Sequence, residues 1–88
     1  MNEYYMNKST GNVYEVLSRD NGYVKTERIG VWDVEDGSFT ASPWMGFVVA
    51  EYILAHMVEN GLVPVVRMMG DGFMSEDDYA DLLVHRAN

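Results

Sequence analysis

Carboxylates are the most abundant groups in this 88-residue chain that could move protons or hold a cation, and two of them, Asp33 and Glu35, stand two positions apart. On an extended strand that spacing turns both side chains to one face, as a general acid and a general base require. The neighbouring Glu35-Asp36-Gly37 run reads instead as a solvated turn. His56 and His85 are the only histidines, fall in different expected helices and belong to no H-E-x-x-H motif. Without a cysteine, a zinc site would need both histidines and several carboxylates to converge. Ser42 and Ser75 lie outside any G-x-S-x-G turn and occupy helix-capping positions. No catalytic residue, metal-ligand set or cofactor is assigned, and the chain is expected not to be an enzyme.

The segment from Gly70 to Tyr79 has half the layout of a calcium-binding loop. Asp71 and Gly72 would take the fifth ligand position and the sharp turn, followed by Ser75 and Asp78 at the ninth and twelfth. The first and third positions would then be Arg67 and Met69, whose side chains offer no oxygen. Calcium takes about six to eight oxygens, so the segment is expected to be a plain loop followed by a well-capped helix. Gly70-Asp71-Gly72 also fails as a phosphate cradle, because no lysine follows and acids do.

What the acids can do is set surface potential. The net charge is −8, from 14 acids and 6 bases. Residues 1–30 balance four acids against four bases, so the whole excess lies beyond them, where ten acids face only Arg67 and Arg86. Such a surface repels phosphate backbones, which argues against direct nucleic-acid binding. It attracts basic protein surfaces, including those that hold nucleic acid. Six Tyr, two Trp, three Phe and seven Met supply contact area among these acids.

The elements that position these groups follow from local patterning. Residues 3–40 read as an antiparallel meander of three or four strands, with turns at 7–12 and at Asn21-Gly22. Ser42-Pro43 reads as a helix start, which predicts a long helix over 43–59 ended by Asn60-Gly61. Residues 62–69 read as a strand, with Pro64 marking an edge or a strand start. Ser75 caps a short C-terminal helix that carries Glu76, Asp77 and Asp78 in its first turn, where the helix dipole favours negative charge. The expected fold is one α+β domain over 1–88, its meander packed by the long helix. The expected core is Tyr14, Val16, Val24, Ile29, Trp32, Phe47, Ala50, Ile53, Leu54, Met57, Val65, Leu82 and Leu83. The apolar run Trp44–Ala50 is too short to span a bilayer, and no basic start leads into a long apolar run. The expectation is a cytoplasmic protein without a membrane partner.

A helix over 43–59 would be too apolar for one buried face. Trp44, Val48 and Tyr52 would interleave with Glu51 and Glu59 on the side opposite Phe47, Ala50, Ile53, Leu54 and Met57. Either the second side is covered from within, or the strip meets a partner or a second copy.

In size, absence of cysteine, acidity and hairpin-plus-helices plan, the chain resembles small acidic phage-encoded inhibitors of the anti-CRISPR kind. Glu76-Asp77-Asp78 together with Asp33, Glu35 and Asp36 carry the likeness. The resemblance implies a non-enzymatic binder that blocks a basic nucleic-acid-binding groove or a protein surface of a host defence complex, within the host cytoplasm. Asp33, Glu35, Asp36, Trp44, Val48, Glu51, Tyr52, Glu59, Glu76, Asp77 and Asp78 are the candidate partner-binding residues. The alternative reading is a homo-oligomeric phage or bacterial structural or assembly protein, a homodimer being one such form, that self-associates through the Trp44/Tyr52 strip.

Overall fold

A computed structural model describes residues 3–68 and 72–86, with side chains through Val84. The strands are β1 (Tyr4–Asn7), β2 (Asn12–Asp20), β3 (Tyr23–Asp33), β4 (Ser38–Ala50), β5 (Leu62–Arg67) and β6 (Phe73–Ser75). The helices are α1 (Glu51–Glu59) and α2 (Glu76–Arg86). The strands form one antiparallel sheet in the order β4-β3-β2-β1-β5-β6. The expected α+β class and N-terminal meander are present.

Local chemistry explains the turns. Asn21 and Gly22 link β2 to β3 in two residues, at φ 53° and 79°. Positive φ at both central positions matches the twist of paired strands, and Asn-Gly reaches it at low cost. Pro64 is tolerated because β6 pairs with Val65–Arg67, leaving Pro64 on a stretch where, among the described residues, β5 has β1 alone for a neighbour.

The long helix is corrected. Residues 43–50, expected as its first half, belong to β4, which pairs with β3 from Ser38 to Ala50. Only Glu51–Glu59 is helical. Ser42 caps no helix: its carbonyl and hydroxyl accept hydrogen bonds from Arg28 Nε and an Arg28 terminal nitrogen at 3.2 and 3.0 Å. Pro43 falls where the β3–β4 register shifts opposite Ile29, a bulge position that needs no ladder donor. A second shift lies opposite Thr26. There the buried Thr26 hydroxyl donates to the Phe47 carbonyl at 3.0 Å and accepts from the Phe47 N–H at 2.9 Å. Gly46 leaves space for this clip, since a β-carbon there would collide with the Thr26 carbonyl. A serine-proline pair is therefore compatible with two structures, and pairing with β3 decides between them.

Each sheet face carries its own core. On one, Tyr4, Val13 and Val65 are buried among Met6, Ile29, Trp32, Phe39, Val63 and Phe73. Phe73 of β6 lies 5.2 Å, ring centre to ring centre, from Phe39 of β4, although these strands are the two ends of the sheet order. The sheet therefore coils until its edges meet through side chains at this end. Tyr4 and Trp32 also meet Phe73 edge-on, at 5.8 and 6.1 Å, and the Arg67 guanidinium lies 5.8 Å from the centres of both Phe39 and Phe73. On the other face, α1 inserts Leu54 against Val24 and Leu62, flanked by Tyr5, Tyr14, Val16, Phe47, Val49 and Met57.

The expected core is corrected at Ile53 and Leu83, which are exposed because the shortened α1 buries only Leu54 fully and the outer side of α2 faces solvent. Tyr4, Val13 and Leu62, outside that expected set, are buried. Asn60 and Gly61 end α1 as expected, with Gly61 at φ 114°. Ser75 Oγ accepts the Asp78 N–H at 3.2 Å, the cap expected for the second helix. Met69, Gly70 and Asp71 of the calcium-like segment lie outside the described residues, as does the His85 side chain. No helix among the described residues is long and apolar enough to cross a membrane.

Candidate functional site

The β3–β4 turn presents the first acidic group. Asp33 closes β3, and its Oδ1 accepts the backbone N–H groups of Glu35 and Asp36 at 3.0 and 3.2 Å. This Asx turn uses Asp33 to shape the tip and leaves the Glu35 and Asp36 side chains in solvent. Asp33 ends β3 and shapes the turn while Glu35 projects from it, so the two do not share one strand face as their spacing suggested. The first turn of α2 presents the second group, Glu76, Asp77 and Asp78, all exposed.

Asp33 and Glu35 of the first group and Asp77 and Asp78 of the second border one region of the surface, while Asp36 and Glu76 do not line it. A groove of about 640 Å³ is lined by Met6, Lys8, Trp32, Val34, Val63, Phe73 and, at its rim, Asp77 and Asp78. A neighbouring depression of about 330 Å³ shares Lys8, Trp32 and Val34 with it and adds Asp33 and Glu35. Half-buried aromatic floor and exposed acidic rim thus occur together, with Lys8 as the cation lining both hollows. Lys8 and Val34 were not among the residues expected to meet a partner. Their signal in the sequence is slight, a lysine in the first hairpin loop and a lone valine ahead of the Glu35-Asp36-Gly37 turn.

The remaining candidates separate from this acidic end. Trp44 and Val48 line a different depression, of about 460 Å³, with Leu17, Lys25, Glu27 and Met45. Trp44, Val48 and Tyr52 are exposed by 66%, 63% and 75%, so none of them is covered by the described residues. They do not form the helical strip that the sequence suggested, because two lie on β4 and one belongs to the first turn of α1. Glu59, at the other end of α1, stands 3.9 Å from His56 Nδ1 in an exposed pair.

Glu51 is engaged. Arg19 of β2 donates to both of its carboxylate oxygens, at 2.6 and 2.7 Å, and also to Glu3 at 2.9 and 3.1 Å and to the Tyr5 hydroxyl at 3.1 Å. Hydrogen bonding by Glu3, then by Glu51, raises the Arg19 pKa above its ordinary value. Glu51 is thus engaged within the fold, sharing the single positive charge of Arg19 with Glu3, which reduces the field it offers to an approaching molecule. Arg19 itself could not have been singled out in the sequence, since its carboxylate partners lie 16 residues before it and 32 residues after it.

Among the described residues no group of three or more His, Asp or Glu side chains is arranged to hold a metal ion. Compared with family models, curated proteins and solved structures, the chain finds no match in any of the three.

Proposed function

We propose that this protein is an acidic binder that inhibits by occupancy rather than by chemistry, covering a basic surface of a partner protein or nucleoprotein. The observation that supports the reading most directly is the shared border of the two acidic elements: Asp33 and Glu35 from the β3–β4 turn, Asp77 and Asp78 from α2, around hollows lined by Trp32 and Val34. Acidic rims accelerate and orient encounter with a basic surface, while desolvated aromatic floors supply binding energy. The turn is held by the Asp33 carboxylate and the backbone N–H groups of the next residues, so the Glu35 and Asp36 side chains are left to serve the encounter. The likeness to small acidic phage inhibitors adds the class of partner, a nucleic-acid-binding complex of host defence in the host cytoplasm.

The test is displacement of labelled DNA from a ribonucleoprotein nuclease, measured over a salt series. Expected are competition at low salt, steep weakening as salt rises, and loss of competition when Glu35, Asp36, Asp77 and Asp78 are replaced by their amides. Competition that is indifferent to salt and to those replacements would sink the reading.

A further inference from the structure

The longest charge-free stretch of the chain runs from Gly37 to Ala50, between Asp36 and Glu51, and it contains the whole of β4. In a molecule of net charge −8 this is, among the described residues, the one long strand without an ionised side chain. Among the described residues β4 is also an edge of the sheet, hydrogen-bonded to β3 alone. Its first half is partly shielded, because Phe39 packs against Phe73 of the opposite edge. In its second half Phe47 and Val49 pack on the α1 side, while Trp44, Met45 and Val48 are exposed by 66%, 80% and 63%. Exposed edges are ordinarily blunted by lysines or other charges, and here only Pro43 and the two register shifts perform that service.

The backbone of this half is phased for pairing. Glu51 N–H donates to the Gly22 carbonyl at 2.9 Å, and both backbone polar groups of Phe47 point inward to the Thr26 hydroxyl. Alternation along an extended strand then turns the N–H and C=O of Val48 and Ala50 to the open side. A basic partner gains nothing from a strip with no acids on it. A second copy does, because a neutral edge is where two molecules of like charge approach with least repulsion.

We propose that β4 pairs antiparallel with β4 of a second copy of this chain, with the two-fold axis at Val48. Each Val48 then exchanges backbone hydrogen bonds with its mate. Ala50 stands opposite Gly46, and Trp44 of one copy is carried toward Tyr52, at the start of α1, in the other. Antiparallel pairing of identical strands is two-fold symmetric by construction, so it closes as a dimer rather than growing into a fibre. The sheet becomes continuous across the axis.

Sedimentation of the full chain over a concentration series tests this. The expected result is a reversible monomer–dimer equilibrium that strengthens with salt, because salt screens repulsion between the two acidic chains. That is the opposite sign from partner binding by the acidic end, so the two readings fail separately. Val48→Glu places two carboxylates face to face across the axis and should weaken the dimer by about tenfold or more. Within one chain the new carboxylate stands opposite Lys25, so the monomer should keep its circular dichroism spectrum. The chain has no cysteine, so Val48→Cys should give a disulfide-linked dimer under mild oxidation, while Val34→Cys, exposed on the β3–β4 turn, should not. A wild-type chain that stays monomeric at every concentration overturns the proposal. So does a dimer that Val48→Glu leaves intact. If Val48→Glu fails to fold, the cysteine pair decides: equal cross-linking of both variants, or none at position 48, overturns it.

Discussion

Arg19 on β2 and Glu51 at the head of α1 share two hydrogen bonds of 2.6 and 2.7 Å, and the same guanidinium holds Glu3, which precedes β1. One cation thus ties the helix to the sheet at the point where β4 stops being a strand. Glu51 also sits in the first helical turn, where negative charge is favoured.

Replacing Glu51 by Gln should therefore lower stability by about 0.5–1 kcal/mol, since both partners remain partly exposed to solvent. Urea denaturation checks the value, and the difference should shrink at high salt. Arg19→Met should cost more, because it strips two carboxylates and the Tyr5 hydroxyl together. The sign of the pH dependence follows from the raised Arg19 pKa. Its contribution is complete below the guanidinium's unfolded pKa and is lost only as pH climbs through the folded one. Stability should show no loss from this residue across the neutral and mildly alkaline range.

Thr26 is the buried polar residue among those described, and its hydroxyl is satisfied twice by Phe47. Thr26→Val keeps the shape and leaves the Phe47 N–H and carbonyl without that partner. The expected cost is about 1–3 kcal/mol in urea denaturation, with Thr26→Ser recovering most of it.

Leu54 is the one residue of α1 that is fully buried, between Val24 and Leu62. Leu54→Ala should destabilise by about 2–5 kcal/mol. Ile53→Ala, one position along and exposed, should cost far less. Near-equal losses in thermal unfolding would contradict the placement of α1 on the sheet.

Ser75→Ala removes the acceptor of the Asp78 N–H. It should cost about 1 kcal/mol, and hydrogen exchange should speed up first in the amides of α2, leaving those of β2 and β3 protected.

Much of this architecture is written in short-range signals. Asn21-Gly22 dictates a tight hairpin, Asn60-Gly61 stops a helix, Ser75 with three following acids starts one, and the charge imbalance beyond residue 30 needs only counting. Each depends on groups a few positions apart, so the chain carries the answer locally. The structure of residues 43–50 is of another kind. Ser42-Pro43 would begin a helix in isolation, but β3 offers an antiparallel ladder, and Thr26 and Arg28 hold Phe47 and Ser42 in place along it. The same long-range pairing separates Trp44 and Val48 from the acids they were expected to accompany, and brings Arg19 within hydrogen-bond reach of Glu51 across 32 positions. Periodicity reports what a segment could bury; only the assembled sheet decides which neighbour it meets, because hydrogen-bond pairing across strands outweighs the weak preference of a short segment for a helix.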